Sequence, residues 1–225
     1  MDFQTLEANL DALISIWTPD RPSRMARVAL EKADFDDLAA TGFTLTGVPV
    51  SRGGLWLDSG QSAAQVGRLL RKLAGVDPSL ALVASMHPTI LLLWLVEPDH
   101  AATRGWKEQR DKVFDDAKSG RWFGTIASEP GIGGDIFATR STASLQADGS
   151  WRMSGDKFMG SGSGITSFMM TIARPDGEDE CREGGLEHLA GLPGVAHDQH
   201  LRRLSGRDRR GRGPEGSGQL RGQEL

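Results

Sequence analysis

The sequence predicts an α+β protein in which an N-terminal α-helical domain is followed by part of an antiparallel β-barrel and then by a disordered C-terminal tail. Apolar residues recur at helical spacing up to about residue 119, and they alternate with polar residues from about residue 121 to residue 174. From residue 176 onward the chain contains no Phe, Trp or Tyr and shows neither period, so it has too little apolar surface to bury. We therefore predict three regions, 1–119, 120–175 and 176–225.

The composition of the 225 residues excludes several classes of protein. The net charge of −4 gives no reason to expect a nucleic-acid partner. Cys181 is the only cysteine, which excludes an intrachain disulfide and a cysteine-based zinc site, and the histidines show no metal-ligand spacing. The N-terminus lacks the basic segment of a secretion signal, and the most apolar run, 79–96, is interrupted by Pro88. We therefore expect a cytoplasmic protein with no metal site and no membrane contact.

Five helices are predicted in the first region. Pro19 ends the first helix, and Asp77 followed by Pro78 is typical of an N-cap with proline at the first helical position. The apolar positions of the second helix include Met25 and Val28. The predicted helices span residues 2–17, 23–40, 62–73, 77–96 and 100–119. For this region, periodicity alone leaves a generic helical bundle as the alternative.

The second region is predicted to consist of strands joined by glycine-rich turns. The predicted strands are 122–127, 139–145, a return strand from Trp151, and 166–173. The turn at 128–135 reads Ser-Glu-Pro-Gly-Ile-Gly-Gly-Asp, and the loop at 159–164 reads Met-Gly-Ser-Gly-Ser-Gly. Glycines after Pro130 allow backbone N–H groups to approach a ligand closely and to form an anion-binding nest. The alternative is that these glycines serve only the turns of a barrel.

Two motifs in this order resemble the acyl-CoA dehydrogenase superfamily. Residues 128–135 are similar to its T-E-P-G-x-G-S-D motif, and residues 155–162, Gly-Asp-Lys-Phe-Met-Gly-Ser-Gly, are similar to its G-x-K-x-W-I-T-N motif. In the helical region, residues 35–54 and 73–81 also resemble the family's L-A-x-x-G…V-P-x-x-x-G-G and A-x-x-D-P-S-L-A patterns. The resemblance covers about residues 20–175. It implies that a C-terminal helical domain is missing and that the tail is truncated or read out of frame.

The resemblance implies roles for five residues. Ala127 and Ser128 fall where the family's strand lies along the pyrimidine side of a bound FAD. Ser161 aligns with a threonine whose hydroxyl approaches flavin N5, and Met159 aligns with a tryptophan that packs on the flavin. Gly134 stands in the substrate-binding region in place of a serine, so one hydroxyl expected near phosphate or acyl-CoA is absent.

Two further residues, His87 and Glu129, carry side chains that could take part in chemistry. His87 could face the flavin pocket and contact substrate, although a lone histidine on an apolar helix is more often a core residue with satisfied hydrogen bonds. Glu129 belongs to the turn motif and is not assigned as a base. In the family the base is a carboxylate of the C-terminal helical domain, so no catalytic residue is assigned in this chain.

The leading functional interpretation is an FAD-dependent oxidoreductase that dehydrogenates an acyl-CoA thioester, present here as an incomplete chain with impaired activity. A full-length relative would be a homo-oligomer. One alternative is a flavin-dependent monooxygenase of the same fold, because the loop at 159–164 resembles the F-x-S-G-S-G loop of that subgroup, whose members react reduced flavin with oxygen. The other alternative is a non-catalytic fragment.

Overall fold

The computed structural model describes residues 1–95, 104–176 and 195–196. The chain divides into two compact units. The first combines Met1–Glu97 with Glu108–Phe123, and the second combines Pro98–Lys107 with Gly124–Leu225.

Helices account for most of the described part of the first unit. The described helices are α1 (Phe3–Trp17), α2 (Arg21–Ala26), α3 (Lys32–Ala40), α4 (Ser59–Ala74), α5 (Pro78–Leu93) and α6 (Arg104–Lys118), and the first four residues of α6 are assigned to the second unit. Asp2, Asp58 and Asp77 cap α1, α4 and α5, because each carboxylate accepts a hydrogen bond from the backbone N–H three residues later. The predicted start of the fourth helix at Asp77 and Pro78 is therefore confirmed.

The predicted second helix is wrong as a single element, because the chain breaks between α2 and α3. Arg24 Nη1 and Arg27 Nη1 lie 3.0 and 2.6 Å from the two carboxylate oxygens of Asp34. A straight helix would place Arg24 about 15 Å along its axis from Asp34, whereas a bend brings both guanidinium groups to it. Two apolar residues of the predicted helix, Met25 and Val28, are exposed.

The core of the first unit surrounds Trp122. Its indole Nε1 donates to the backbone oxygen of Phe35 at 3.0 Å, and its ring packs edge-on against Phe35 and is stacked on Phe43. Other fully buried side chains of this unit are Leu6, Leu10, Leu38, Leu69, Leu73, Leu80, Ile90, Leu91 and Phe114. Apolar burial of this extent is the main stabilising contribution to such a helical unit.

The strands form two three-stranded sheets. They are β1 (Phe123–Thr125), β2 (Thr142–Leu145), β3 (Trp151–Ser154), β4 (Phe168–Met170), β5 (Arg174–Pro175) and β6 (Val195–Ala196). One sheet has the order β1-β4-β6 and the other has the order β3-β2-β5. The hairpin of β2 and β3 pairs Leu145 with Trp151 and closes through a Gln146 N–H to Ser150 oxygen bond of 2.8 Å. The predicted hairpin is thus confirmed.

Two other predictions for this region need correction. The strands β2 and β5 are parallel, and the described strands form two separate sheets, so the predicted antiparallel barrel is not confirmed. Three residues of the predicted disordered tail are described, and each of them is paired. The N–H of Asp176 donates to the Ala143 oxygen at 2.9 Å, and Val195 and Ala196 pair with Met169 and Phe168. The rest of the tail prediction, from residue 177 onward, falls outside the described residues.

Across the described ranges, none of the helices has both the length and the apolar character that a membrane span requires. The apolar run predicted as a buried helix corresponds to α5, which buries seven of its side chains.

Candidate functional site

The second unit brings the two motifs of the sequence side by side. The backbone N–H of Thr125 donates to the Ser161 oxygen at 3.1 Å, and the N–H of Ser161 donates to the Thr125 oxygen at 2.8 Å. Three residues further along the first segment, the Ser128 oxygen accepts from the N–H of Phe158 at 3.0 Å. Residues 125–128 and 158–161 are therefore joined at both ends.

Small residues permit this close approach. A Cβ atom on Gly124 would lie 2.5 Å from the Ser161 oxygen and 2.7 Å from Thr166 Oγ1. Such distances are too short for any side chain, so glycine is required where β1 faces the loop. The loop itself is held by Thr166, whose N–H and hydroxyl both reach the Gly162 oxygen, at 2.9 and 3.1 Å.

Several polar groups of these two segments have no hydrogen-bond partner among the described residues, and four of them belong to residues predicted to bind the flavin. Within the described part of the chain, the backbone N–H groups of Ala127 and Ser128 and the hydroxyls of Ser128 and Ser161 have no hydrogen-bond partner. Both serines and Ala127 are half-buried. Donors kept partly out of water without a partner are available for a polar ligand.

Met159 adopts an unusual backbone conformation. Its φ of 57° makes it the one non-glycine residue with positive φ among those that the structure describes. This left-handed conformation costs an ordinary residue about 1–2 kcal/mol. Its side chain is 78% exposed, so the strained backbone directs a large apolar group away from the protein interior. Strain of this kind is concentrated at binding sites.

The turn at 129–135 is compact, but there is open space beside Gly134. The N–H and oxygen of Glu129 exchange hydrogen bonds of 3.0 Å with Gly133. No heavy atom lies within 4 Å of the position that a Cβ on Gly134 would occupy, and its φ is not in the left-handed region. The structure therefore requires no glycine at position 134, and the missing serine hydroxyl would be accommodated there.

Glu129 and Lys157 form a buried ion pair that sequence reasoning missed. Their side chains are 2% and 4% exposed, and Lys157 Nζ lies 2.5 Å from Glu129 Oε1. The carboxylate also accepts bonds from the Thr139 hydroxyl, the Arg140 N–H, and both the N–H and hydroxyl of Ser141. Glu129 belongs to the first motif and Lys157 to the second. The presence of an acidic residue in one motif and a basic residue in the other is the sequence signal that could have revealed the pair.

The surroundings of Glu129 keep it ionised. Burial raises the pKa of this carboxyl, but the Lys157 ammonium, the Thr139 hydroxyl, the Arg140 N–H and the Ser141 hydroxyl outweigh it and lower the pKa to about 2. A carboxylate that is buried and fully hydrogen-bonded cannot reach a substrate proton. The geometry agrees with leaving Glu129 unassigned as a base.

His87 lies in the core of the first unit. Its Nδ1 accepts from the N–H of Phe123 at 3.1 Å, and its Nε2 lies 2.9 Å from the Thr44 oxygen. Because a backbone N–H can only donate, Nδ1 is unprotonated and Nε2 donates to Thr44. The ring is fully buried and contacts Trp122 edge-on. With no exposed surface and no free ring nitrogen, the structure favours the core role over substrate contact.

Comparison with known proteins found similarity in structure alone. No protein-family model and no curated protein sequence matches the chain. FMN-bound TdsC from Paenibacillus sp. A11-2 is similar with a TM-score of 0.58 and 18% identity, covering 79% of this chain and 40% of that chain. The same protein is described as a dibenzothiophene monooxygenase.

Two further solved structures are similar over nearly the same part of the chain. KijD3 in complex with dTDP has a TM-score of 0.64 at 20% identity, covering 78% of this chain and 43% of that chain. Butyryl-CoA dehydrogenase from Megasphaera elsdenii has a TM-score of 0.60 at 19% identity, covering 76% and 43%. This chain thus spans about two fifths of the length of these proteins. As the two motifs predict, the chain has the fold of acyl-CoA dehydrogenases over the part that matches.

Proposed function

We propose that this chain supplies the ring-binding part of a flavin site in an oxidoreductase. The observation that carries the proposal is the set of unpaired donors formed by the N–H groups of Ala127 and Ser128 and the hydroxyls of Ser128 and Ser161. The pairing of residues 125–128 with 158–161 places the residues that carry these donors on neighbouring segments. The solved structures of similar fold include proteins bound to FMN, TdsC and KijD3.

The residues fit a flavin by the chemistry of their groups. The pyrimidine side of the isoalloxazine ring presents carbonyl oxygens and ring nitrogens, which accept hydrogen bonds from N–H and O–H donors. Met159 and Phe158, which are 78% and 38% exposed, offer apolar surface to an aromatic ring next to these donors. When bound, the flavin supplies the redox chemistry. The role of these residues is to orient the ring and to shield it from water.

For the reaction itself, we propose α,β-dehydrogenation of an acyl-CoA thioester with FAD. The motif resemblance and the similarity in fold to butyryl-CoA dehydrogenase support this substrate class. The reaction requires a base, and the buried ion pair removes Glu129 from consideration. The base is therefore expected in the C-terminal helical domain that the resemblance implies, and the 225 residues alone should not turn over acyl-CoA.

The second candidate is a flavin-dependent monooxygenase. It is favoured by the exposed, strained Met159 in a Gly/Ser loop, where the dehydrogenases have a tryptophan. Similarity in fold to TdsC and KijD3 also supports it. A flavin that arrives reduced and reacts with oxygen does not require a carboxylate base in this chain.

Titration of the purified chain with FAD and with FMN tests the shared part of both candidates. We expect weak binding, because immobilising the cofactor costs several kcal/mol against donors worth about 1 kcal/mol each. Ser128→Ala combined with Ser161→Ala should weaken binding further, by about fivefold per hydroxyl. Ser15→Ala, which removes an exposed hydroxyl from α1, is the matched control. Equal flavin affinity of the double variant and the unmodified chain would refute the proposed site.

A protein extended through the coding sequence downstream would separate the two chemistries. Loss of the yellow colour on adding an acyl-CoA in the absence of oxygen is expected of a dehydrogenase. Oxygen consumption with externally reduced flavin, without any response to acyl-CoA, would instead identify a monooxygenase. If the extended protein also shows no response to flavin at millimolar concentration, the non-catalytic alternative is correct.

A further inference from the structure

All three N–H donors of the Lys157 ammonium are directed at protein oxygens. They reach Glu129 Oε1 at 2.5 Å, Thr139 Oγ1 at 3.2 Å and the backbone oxygen of Ala127 at 3.3 Å. The Thr139 hydroxyl can accept from Lys157 because it gives its own hydrogen to Glu129. The cation is therefore held in one position and is in contact with the segment that carries the candidate flavin donors.

The contact with Ala127 has a consequence for Ser128. The Ala127 carbonyl and the Ser128 N–H belong to one planar trans peptide unit and point in opposite directions. When Lys157 holds the carbonyl oxygen, the N–H of Ser128 is directed to the other side of the segment. This N–H has no partner among the described residues, so it is a free donor of fixed direction.

The preceding peptide unit is held in the same way by a neutral group. The Ile126 oxygen accepts from the Thr171 hydroxyl at 2.7 Å, and the N–H of Ala127, at the other end of that peptide unit, is also free. The directions of the two free N–H groups are thus fixed by two different side chains, the buried Lys157 cation and the Thr171 hydroxyl. The cation should polarise its peptide more strongly, since hydrogen bonds from charged donors are about twice as strong as neutral ones.

We propose that Lys157, fixed by Glu129, is a positioning residue that orients and polarises the Ala127–Ser128 peptide, so that the Ser128 N–H donates to an electron-rich acceptor on the pyrimidine ring of a flavin. This inference rests on the proposed flavin site. It assigns the buried ion pair a role beyond stability, because it links the charge of Lys157 to the strength of one ligand-facing donor. Lys157 itself does not contact the ligand.

The choice of variants must avoid leaving one ion buried alone. Lys157→Met would strand the Glu129 carboxylate in the interior, and chains with an unpaired buried charge often fail to fold. The double substitution Glu129→Gln with Lys157→Met removes both charges and leaves an amide oxygen for the Thr139 and Ser141 donors. Lys157→Arg retains a cation beside the carboxylate and serves as the rescue variant. Thr171→Val is the matched control, because it releases the neighbouring carbonyl of Ile126.

The first measurement uses the full chain without ligand and reads backbone amide signals by NMR. The neutral double variant should move the Ser128 amide proton upfield and leave the hairpin amides between Gln146 and Ser150 unchanged, which also reports an intact fold. Thr171→Val should move the Ala127 amide and not that of Ser128. Lys157→Arg should restore the Ser128 signal. A Ser128 amide that is the same in the double variant and the unmodified chain would overturn the inference, whatever the ligand.

The second measurement adds FMN, and separately FAD, while the same amides are followed. We expect the Ser128 amide of the unmodified chain to shift with flavin, and the double variant to bind about fivefold to tenfold more weakly. If the first measurement succeeds but no flavin shifts Ser128, the proposed flavin site is wrong while the orientation by Lys157 stands. If flavin shifts Ser128 equally in both proteins with equal affinity, the positioning role is wrong while the flavin site stands.

Discussion

Acidification should destabilise the first unit through His87. The fully buried ring is held as the neutral tautomer by Thr44 and Phe123, and burial lowers the pKa of His87 from 6.5 to about 4, against the opposing effect of the Thr44 hydrogen bond. In the unfolded chain the ring takes up a proton once the pH falls below 6.5, whereas the folded chain resists this down to about pH 4. The unfolded state therefore binds more protons in this window, and the free energy of unfolding decreases as the pH falls.

The size of the effect follows from the two pKa values. At pH 5 the unfolded ring is almost wholly protonated and the folded ring almost wholly neutral, which corresponds to about 2 kcal/mol relative to neutral pH. Below about pH 4 the loss should level off at about 3 kcal/mol. A change of this size is a large part of the 5–15 kcal/mol, roughly, by which domains are usually stable.

Urea unfolding between pH 7.5 and pH 5 tests this, with tryptophan fluorescence as the signal because Trp122 contacts His87 with ring centroids 5.0 Å apart. His87→Gln, which offers both a donor and an acceptor but does not titrate, should remove about 2 kcal/mol of pH dependence over this range. His87→Leu should lose about 2–5 kcal/mol relative to the unmodified chain at pH 7.5, because it leaves the Thr44 oxygen and the Phe123 N–H buried without partners. Since leucine does not titrate either, this difference should shrink by about 2 kcal/mol at pH 5. Parallel pH profiles for the unmodified chain and His87→Gln would refute the reasoning.

Three further predictions concern the second unit. Met159→Gly should leave stability unchanged or raise it by up to about 1 kcal/mol, because relief of left-handed strain outweighs the added chain entropy, while flavin affinity falls; a clear drop in melting temperature would contradict this. Gly134→Ser should alter stability by less than about 0.5 kcal/mol, whereas Gly155→Ala, whose Cβ would collide with Ser141, should be strongly destabilising in the same thermal assay. Because the pKa of Glu129 is lowered from 4.5 to about 2, its contribution to stability should be present above pH 4.5 and lost as the pH falls toward 2; urea midpoints of Glu129→Gln with Lys157→Met should lack that loss.

Local features of the fold could be predicted from the sequence, and features created by distant contacts could not. The hairpin between β2 and β3 depends on alternation and on a turn containing Asp148 and Gly149, both of which are visible in a short window. The break between α2 and α3 depends on Asp34 collecting two arginines, which no helical period indicates. The parallel pairing of β2 with β5 is likewise set by residues about thirty positions apart.

The candidate site shows the same division. The two motifs predicted that residues 127–128 and 159–161 belong to one site, and the backbone pairing of Thr125 with Ser161 brings these segments together. They did not predict how the site is held, because the partners of Lys157 lie 18 to 30 residues away. Burying a lysine ammonium group costs free energy unless it is paired. The position of Lys157 can therefore be explained only when all three of its hydrogen-bond acceptors are known.

His87 and Glu129 are buried titratable groups that are accommodated in opposite ways, and this sets the order in which acid should act on them. His87 meets one donor and one acceptor of the backbone, a pattern that only the neutral ring satisfies. Glu129 meets donors only, including a cation, a pattern that only the carboxylate satisfies. Protonation therefore destabilises both arrangements, but in different pH ranges. The range is from pH 6.5 to about 4 for His87 and from pH 4.5 to about 2 for Glu129. Amides around Trp122 should accordingly lose protection from hydrogen exchange at a higher pH than amides around Ser141, and the reverse order would show that these two groups do not control acid stability.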